Sequence, residues 1–306
     1  MGVYVWDKDV AVLNQHIFKV ELGDNFDRVF FYYLIKTKID EIVSHVHGST
    51  MKHITKDRFD NIKVKLPPLS IQKQIAEILE KADRAKQKRK EANKLTDEFL
   101  QSVFIEMFGD PVKNPKGWEV QELNQMAEIE RDSVTSKNFL TSDLYIGLEH
   151  IEKDSGRLLG YESVDKIELK SNKFRFTSDH ILYGKLRPYL NKVFLPKFNG
   201  VCSTDIIPIK PRKNISNKYF LTYLMRMDFF VKEATTKSTG ANLPRISPHL
   251  LGKIKLYTPP LSLQQQFTEI VNKTESLKEK QKQSEQELEN LFHSLMQKAF
   301  KGELVA

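Results

Sequence analysis

A stretch beginning at Pro67, PPLSIQKQIAEIL, returns at Pro259 as PPLSLQQQFTEIV, 192 positions later in a chain of 306 residues. The same offset pairs Ile54 with Ile246, Ile62 with Ile254, Gln74 with Gln266, Glu77 with Glu269, Ile78 with Ile270, Ser102 with Ser294 and Phe108 with Phe300. Matches spread over that span mark a duplicated structural module, and any fold for this chain has to accommodate it twice.

Each copy opens with a strand-like run, NIKVKLPPL or KIKLYTPPL, closed by a Pro-Pro pair that cannot continue a ladder. Ser70 or Ser262 follows as the expected helix N-cap, and from there the apolar spacing changes from two to three and four. In the first copy Ile71, Ile75, Ile78, Ala82 and Ala85 lead to Phe99 and Val103. In the second, Leu263, Phe267, Ile270 and Leu277 lead to Leu288, Leu291 and Leu295. Both patterns follow a heptad seam without Gly or Pro over about 38 residues, predicting helices roughly 57 Å long. Such helices exceed a small domain's core. They are expected to pair antiparallel as a spacer, residues 71–78 against 288–295 and residues 99–107 against 263–270. Arg89 and its repeat partner Gln281 interrupt the seam, and residues 84–94 carry six cations and one anion. The middle of the spacer therefore presents either an ordinary solvated face or a basic stripe.

Between the copies, DLYIGLEHI, HILYGKL, NKVFLP and GVCSTDIIPIK read as short strands, followed by one helical pattern, NKYFLTYLMRMDFFVKEA. Upstream, DRVFFYYLIKTKIDEIV aligns with the start of that helix at an offset of 190, pairing Phe30 with Phe220, Tyr33 with Tyr223 and Leu34 with Leu224, and NQHIFKV falls where TDIIPIK does. The predicted class is α+β: a mainly β domain with packed helices, plus two long helices forming an antiparallel coiled-coil spacer. Residues 1–68 read as the C-terminal remnant of a first such domain, 69–109 as the first spacer helix, 110–260 as a complete domain and 261–306 as the second spacer helix. Most of the first domain is expected upstream of Met1. With its strands unpaired and Phe30, Phe31, Tyr32 and Tyr33 partly uncovered, the N-terminal segment is expected to be the least stable part, and the chain to self-associate or take up a complementing fragment.

Composition narrows the partner. The net charge is +8, and its distribution is uneven: residues 111–170 hold 8 Lys/Arg against 12 Asp/Glu, whereas residues 171–258 hold 16 against 4. A concentrated basic half-domain favours a polyanion. No apolar run reaches the roughly 18 residues needed to span a bilayer, and no secretory signal is present at the N-terminus. A single cysteine, Cys202, cannot form an internal disulfide, which fits a cytoplasmic chain.

The ordered set of PPLxxQ helix, FGDP, NPKGW, YIGLEHI, ILYGKLRPYLNKV, CSTDI, STGANLPRIS and second PPLxxQ helix resembles the specificity subunit of type I restriction-modification systems over nearly the whole chain. The resemblance implies target-recognition domains that each read half of a split site in double-stranded DNA, separated by paired helices that act as a ruler. It implies docking of methyltransferase and restriction/translocase subunits; a second specificity fragment would be the complementing partner expected above, and the absence of a spanning apolar run leaves no membrane partner expected. It also implies a chain without catalysis or cofactor of its own, with S-adenosylmethionine, ATP and Mg held on the partner subunits.

The residues agree with that absence of chemistry. There is no phosphate-binding loop, no metal-type Cys/His spacing and no Gly-rich nucleotide fingerprint. Neither LPPL nor TPPL supplies the Asn/Asp-Pro-Pro-aromatic pattern of an adenine methyltransferase. Glu168 and Lys170 form an E-x-K without a nearby Pro-Asp, and His45, His47 and His53 cluster but include a position, His53, whose repeat partner is Arg245. DNA-binding candidates are clearer. Lys173 and Arg175 flank aromatics in KFRF, and YGKLRPYLNK interleaves Lys185, Arg187, Tyr189, Asn191 and Lys192 with apolar residues, with Pro188 stiffening the loop. KSTGANLPRI adds Thr239, Asn242 and Arg245 around Gly240, which permits a tight backbone approach. Leu186 and Leu190 are read as core. The competing reading is a scaffold whose domain binds protein and not DNA.

Overall fold

The computed structural model describes residues 2–14, 17, 19–44, 59–167, 169 and 171–305. The candidates Glu168, Lys170, His45, His47 and His53 lie outside the described residues. The α-helices that shape the fold are α1 (Arg28–Ser44), α2 (Leu69–Phe108), α3 (Leu123–Met126), α4 (Lys218–Arg226), α5 (Asp228–Thr236), α6 (Pro248–Gly252) and α7 (Leu261–Lys301). The described strands are β1 (Glu119–Glu122), β2 (Ala127–Ile129), β3 (Ser133–Val134), β4 (Leu144–Ile146), β5 (Glu162–Ser163), β6 (Lys173–Phe176), β7 (Ile181–Gly184), β8 (Val193–Phe194), β9 (Gly200–Cys202), β10 (Ile206–Pro211) and β11 (Lys255–Thr258). The chain divides into two compact units, residues 1–95 with 277–306 and residues 96–276, so each long helix contributes to both.

The first unit packs α1 onto α2 and α7. Phe30, Tyr33 and Leu34 meet Ile75, Ala76 and Leu79 of α2 and Phe292, Met296 and Ala299 of α7. The expectation that the α1 aromatics lie partly uncovered fails for Phe30 and Tyr33, because Phe300 packs tilted on the first and Phe292 edge-on against the second, at centroid distances of 5.4 and 6.0 Å. The two long helices run antiparallel here: Lys86 bonds Glu289 at 2.8 Å and Asn93 bonds Glu285 at 2.8 Å, rising numbers meeting falling ones. Within the expected basic stripe, Lys86 is thus ion-paired and Arg84 is paired with Glu80 at 2.7 Å.

Strict heptads do not predict the whole seam. Phe99, Leu277 and Leu291 are each about half exposed, whereas Leu79, Leu100, Phe104, Val271, Phe292 and Met296 are buried. An α-helix drifts by about 20° per heptad against a 3.5-residue repeat, so a frame set at one end misses the buried face at the other.

The start of the repeat shows why its motif recurs. Ser70 and Ser262 are helical residues, not N-caps; Pro68 and Pro260 offer the first carbonyls, to Ile71 and Gln72 and to Leu263 and Gln264. The motif's glutamine does the fastening. In the first unit the buried Gln72 amide donates to Pro67 O and Asn25 O, both at 2.9 Å, and accepts from Asp27 N at 2.9 Å. In the second unit Gln264 donates to Pro259 O at 2.9 Å and Ile215 O at 3.0 Å and accepts from Asn217 N at 3.0 Å. Asp27 and Asn217 in turn accept from the backbone of Phe30 and Phe220, starting α1 and α4. One side-chain amide therefore ties the mouth of a long helix to the N-cap of the helix packed on it, in both copies.

The strand-like run before Pro67 forms no ladder among the described residues. Its counterpart β11 exists because β1 pairs with it antiparallel, Val120 opposite Tyr257; alternation makes a strand only where an edge is available.

Within the second unit, β2-β10-β7-β8 form an antiparallel sheet and β3-β6-β9-β4-β5 a mixed one in which β4 and β9 are parallel. The four-stranded sheet is covered on both faces, which explains its unbroken apolar runs. Ile181, Tyr183, Ile207 and Ile209 face a core with Phe220, Leu224, Phe230, Phe104, Phe108 and Phe267, while Leu182 and Ile206 face Ile146, Phe176 and Cys202. The single helix expected over residues 217–234 is two, broken at Met227, which is extended (φ −73°, ψ 149°). Asn191 Nδ2 takes the Arg226 carbonyl at 2.9 Å, the acceptor a continuous helix would need.

Candidate nucleic-acid interface

The chain leaves one sheet at the end of β9 and enters the other at β10, and residues 203–205 make that corner. Asp205 sits there and gathers the two basic loops. Its carbonyl accepts from Lys185 N at 2.9 Å, and its carboxylate takes Arg245 Nε at 2.9 Å and Nη2 at 3.2 Å, with Lys185 Nζ 3.9 Å away. The loops also bond each other directly: Arg187 N donates to Pro244 O at 2.7 Å and Ile246 N to Lys185 O at 3.1 Å. Thr239 and Arg245 close the second loop with reciprocal backbone bonds of 3.0 and 2.9 Å, and Gly240 turns it at φ +106°, a conformation glycine allows without strain. Lys185 and Arg187 on one loop and Thr239 and Arg245 on the other, some sixty residues apart in sequence, are thus brought to one rim, with Tyr189 following the first loop's cations and Asn242 lying within the second loop.

Arg187 is the unusual member. It is exposed, its backbone is left-handed (φ 52°, ψ 65°), and it precedes buried Pro188, which further restricts it. A non-glycine residue held there costs of order 1–3 kcal/mol. The cost is met by the bonds of Arg187 N to Pro244 O and of Leu190 N to Arg187 O. Tyr189, two residues on, is half exposed. The rim thereby shows a cation and an aromatic ring to solvent.

The other candidates are engaged elsewhere. Lys173 is 5 % exposed; its ammonium donates to Ser171 O at 2.9 Å and Ser171 Oγ at 2.7 Å, and burial pushes its pKa down. Folded back onto Ser171, the ammonium is withdrawn from a surface contact. Arg175 is half-buried against the Asp143 carboxylate at 3.1 and 3.2 Å and against Asn138 O, holding the loop before β4. Asn191 is spent on Arg226 O, and Lys192 Nζ donates to Leu148 O at 2.7 Å. Neither Leu186 nor Leu190 is fully buried; both are half-covered loop residues. Asp205 escaped the sequence reading, although CSTDI stood out as a motif, because its partner Arg245 lies 40 residues away. Around Arg245, the hydrogen bond to Asp205 and then the carboxylate's charge push the guanidinium pKa up.

Among the described residues no group of His, Cys, Asp and Glu is placed to hold a metal ion, and no helix is long and apolar enough to cross a membrane. The model of the type I restriction modification DNA specificity domain matches residues 1–96 and 115–290. The chain belongs to this family. Among curated relatives, the type I restriction enzyme EcoDI specificity subunit of Escherichia coli is 27% identical over 315 residues, covering 90% of this chain and 70% of that protein. The MjaVIII specificity subunit of Methanocaldococcus jannaschii is 24% identical over 321 residues, covering 96% of this chain and 74% of that protein. Solved structures share the fold. The type I restriction-modification S subunit from M. genitalium superposes with a TM-score of 0.54 at 17% identity, covering 90% of this chain and 73% of that one. A chain from a structure of type I R-M complex assembly and conformational transition superposes with a TM-score of 0.56 at 20% identity, covering 90% and 71%. The family's role is DNA sequence specificity, and the catalytic activities of type I enzymes lie in partner subunits.

Proposed function

We propose that residues 110–260 form a target-recognition domain that grips duplex DNA through the rim of Lys185, Arg187, Tyr189, Thr239, Asn242 and Arg245. The observation that carries this reading is the strained, outward-facing Arg187, held by a backbone bond from a loop that brings its own polar side chains to the same edge. Strain of this kind persists where surrounding structure enforces it, and it clusters at working sites. Among the described residues Arg187 has no carboxylate partner and supplies its full charge, while Lys185 shares Asp205 and contributes less. Lys173, Arg175, Asn191 and Lys192 support the fold behind the rim.

The chain would deliver methyltransferase and restriction/translocase subunits to the site it reads, in the cytoplasm. S-adenosylmethionine, ATP and Mg belong to those partners. Large apolar side chains left exposed on the long helices, Leu95, Phe99 and Ile105 on α2 and Leu277 and Leu291 on α7, support docking there. The test is duplex binding by the full chain with its methyltransferase across a salt series. Log affinity is expected to fall linearly with log salt, and Arg187→Ala to flatten the slope by about 1. Salt-independent binding, or Arg187→Ala and Lys185→Ala both indistinguishable from the parent, would remove the site.

A further inference from the structure

We infer that Asp205 is a positioning residue that converts Arg245 from a phosphate-binding cation into a guanine-reading fork. The inference rests on the DNA-binding reading of the rim and adds which residue specifies a base.

Arg245 is the one rim cation whose charge is met bidentately. Nε and Nη2 bond the two oxygens of Asp205, at 2.9 and 3.2 Å, and Nη1 donates to Leu243 O at 3.3 Å. A guanidinium has five N–H groups, so these three bonds leave two for a ligand. The Asp205 side chain is 26% exposed and Arg245 41% exposed, so the pair stands at the edge with its outer part open to solvent.

Charge and geometry then point the same way. A phosphate contact draws its affinity from releasing counterions, which needs an unneutralised cation. The carboxylate 2.9 Å from Arg245 cancels that charge and leaves the pair with little attraction for a backbone. What survives is orientation: both ends of the guanidinium plane are fixed, and Asp205 is itself anchored by its carbonyl on Lys185 N and by its own N–H on Ser203 Oγ at 3.3 Å. The two N–H groups left over, one on each terminal nitrogen of a fixed plane, are the donors that guanine O6 and N7 accept from in the major groove. The neighbours divide the labour, since Arg187 on the adjoining loop keeps its full charge for phosphate.

The test compares the full chain with its methyltransferase, wild type against Asp205→Asn and Arg245→Lys, on a randomised duplex library, then on the selected duplex and its single-base variants across a salt series. The wild-type site is expected to contain a guanine whose replacement weakens binding by about 5- to 100-fold. Asp205→Asn frees the Arg245 charge: the log–log salt slope should steepen by about 1 while preference for that guanine is lost. Arg245→Lys keeps the charge pair but not the fork, and should lose the same preference with the slope unchanged. It decides the matter where Asp205→Asn melts the loops. Asp205→Asn in an Arg245→Ala background should remove no further discrimination; a further loss would move the role to Lys185 and overturn the assignment to Arg245. Guanine preference intact in Arg245→Lys, or a selected site with no guanine sensitive to Arg245, overturns the inference while leaving DNA binding standing. A wild-type complex that binds no duplex overturns both.

Discussion

Replacing Gln264 by leucine should loosen the second unit far more than the same replacement at Gln266, two positions on in the same motif. The amide is fully buried and makes three bonds, to Pro259 O, Ile215 O and from Asn217 N. Leucine fills nearly the same volume, so the loss is polar and not a cavity. Three backbone groups would be left without the partner they now have, each costing about 1–3 kcal/mol. Partial access of water to the carbonyl lone pairs brings a working figure to about 3–5 kcal/mol, a large share of the 5–15 kcal/mol that holds a typical domain together. Gln266→Leu, two residues on and exposed, should stay within about 0.5 kcal/mol. Because the chain has two compact units, a single unfolding free energy would mix them, and native-state hydrogen exchange is the better readout. Protection is expected to fall first at the amides of Asn217 and Phe220 and the opening turn of α7, and Gln72→Leu should do the same around Asp27 and Phe30. A loss below 1 kcal/mol at these amides, or an equal loss in Gln266→Leu, would refute the view that this amide is the fastener the repeat preserves.

Other consequences follow from single residues. Arg187→Gly relieves a left-handed backbone, so its melting temperature should equal or exceed the parent's while duplex affinity drops; a fall in both would show that the strain argument is wrong. Cys202 is buried and burial pushes its thiol pKa up, so an aromatic disulfide reagent should react with it only as fast as the unit opens in denaturant. Burial alone would raise the Glu130 carboxyl, but hydrogen bonds from His180 at 2.9 Å and Lys210 at 3.2 Å outweigh it and hold its pKa low. A carboxylate with a depressed folded pKa adds stability that is present above its unfolded pKa and lost as pH falls through the folded value. Acid unfolding of Glu130→Gln should therefore show a flatter dependence between those two values.

What the chain's order of residues determined is whatever repeats or alternates over a few positions. The 192-residue repeat, the uninterrupted helices over Leu69–Phe108 and Leu261–Lys301, the mixed α+β class and the family were all legible, because helix period, Pro-Pro stops and motif order are local or self-referencing signals. The seam was misassigned at Phe99, Leu277 and Leu291, since small angular errors accumulate along a helix. Tertiary structure alone decided which polar side chains face out. Lys173 and Arg187 look equivalent in a list of cations, yet one is folded onto Ser171 and the other is pinned outward by a bond to Pro244. Asp205 acquires its meaning only when a corner between two sheets brings it against Arg245, and Gln264 only when α4 is packed beside the mouth of α7. Such pairings join residues 40 or more positions apart, where no local period connects them and the geometry is set by the core they all share.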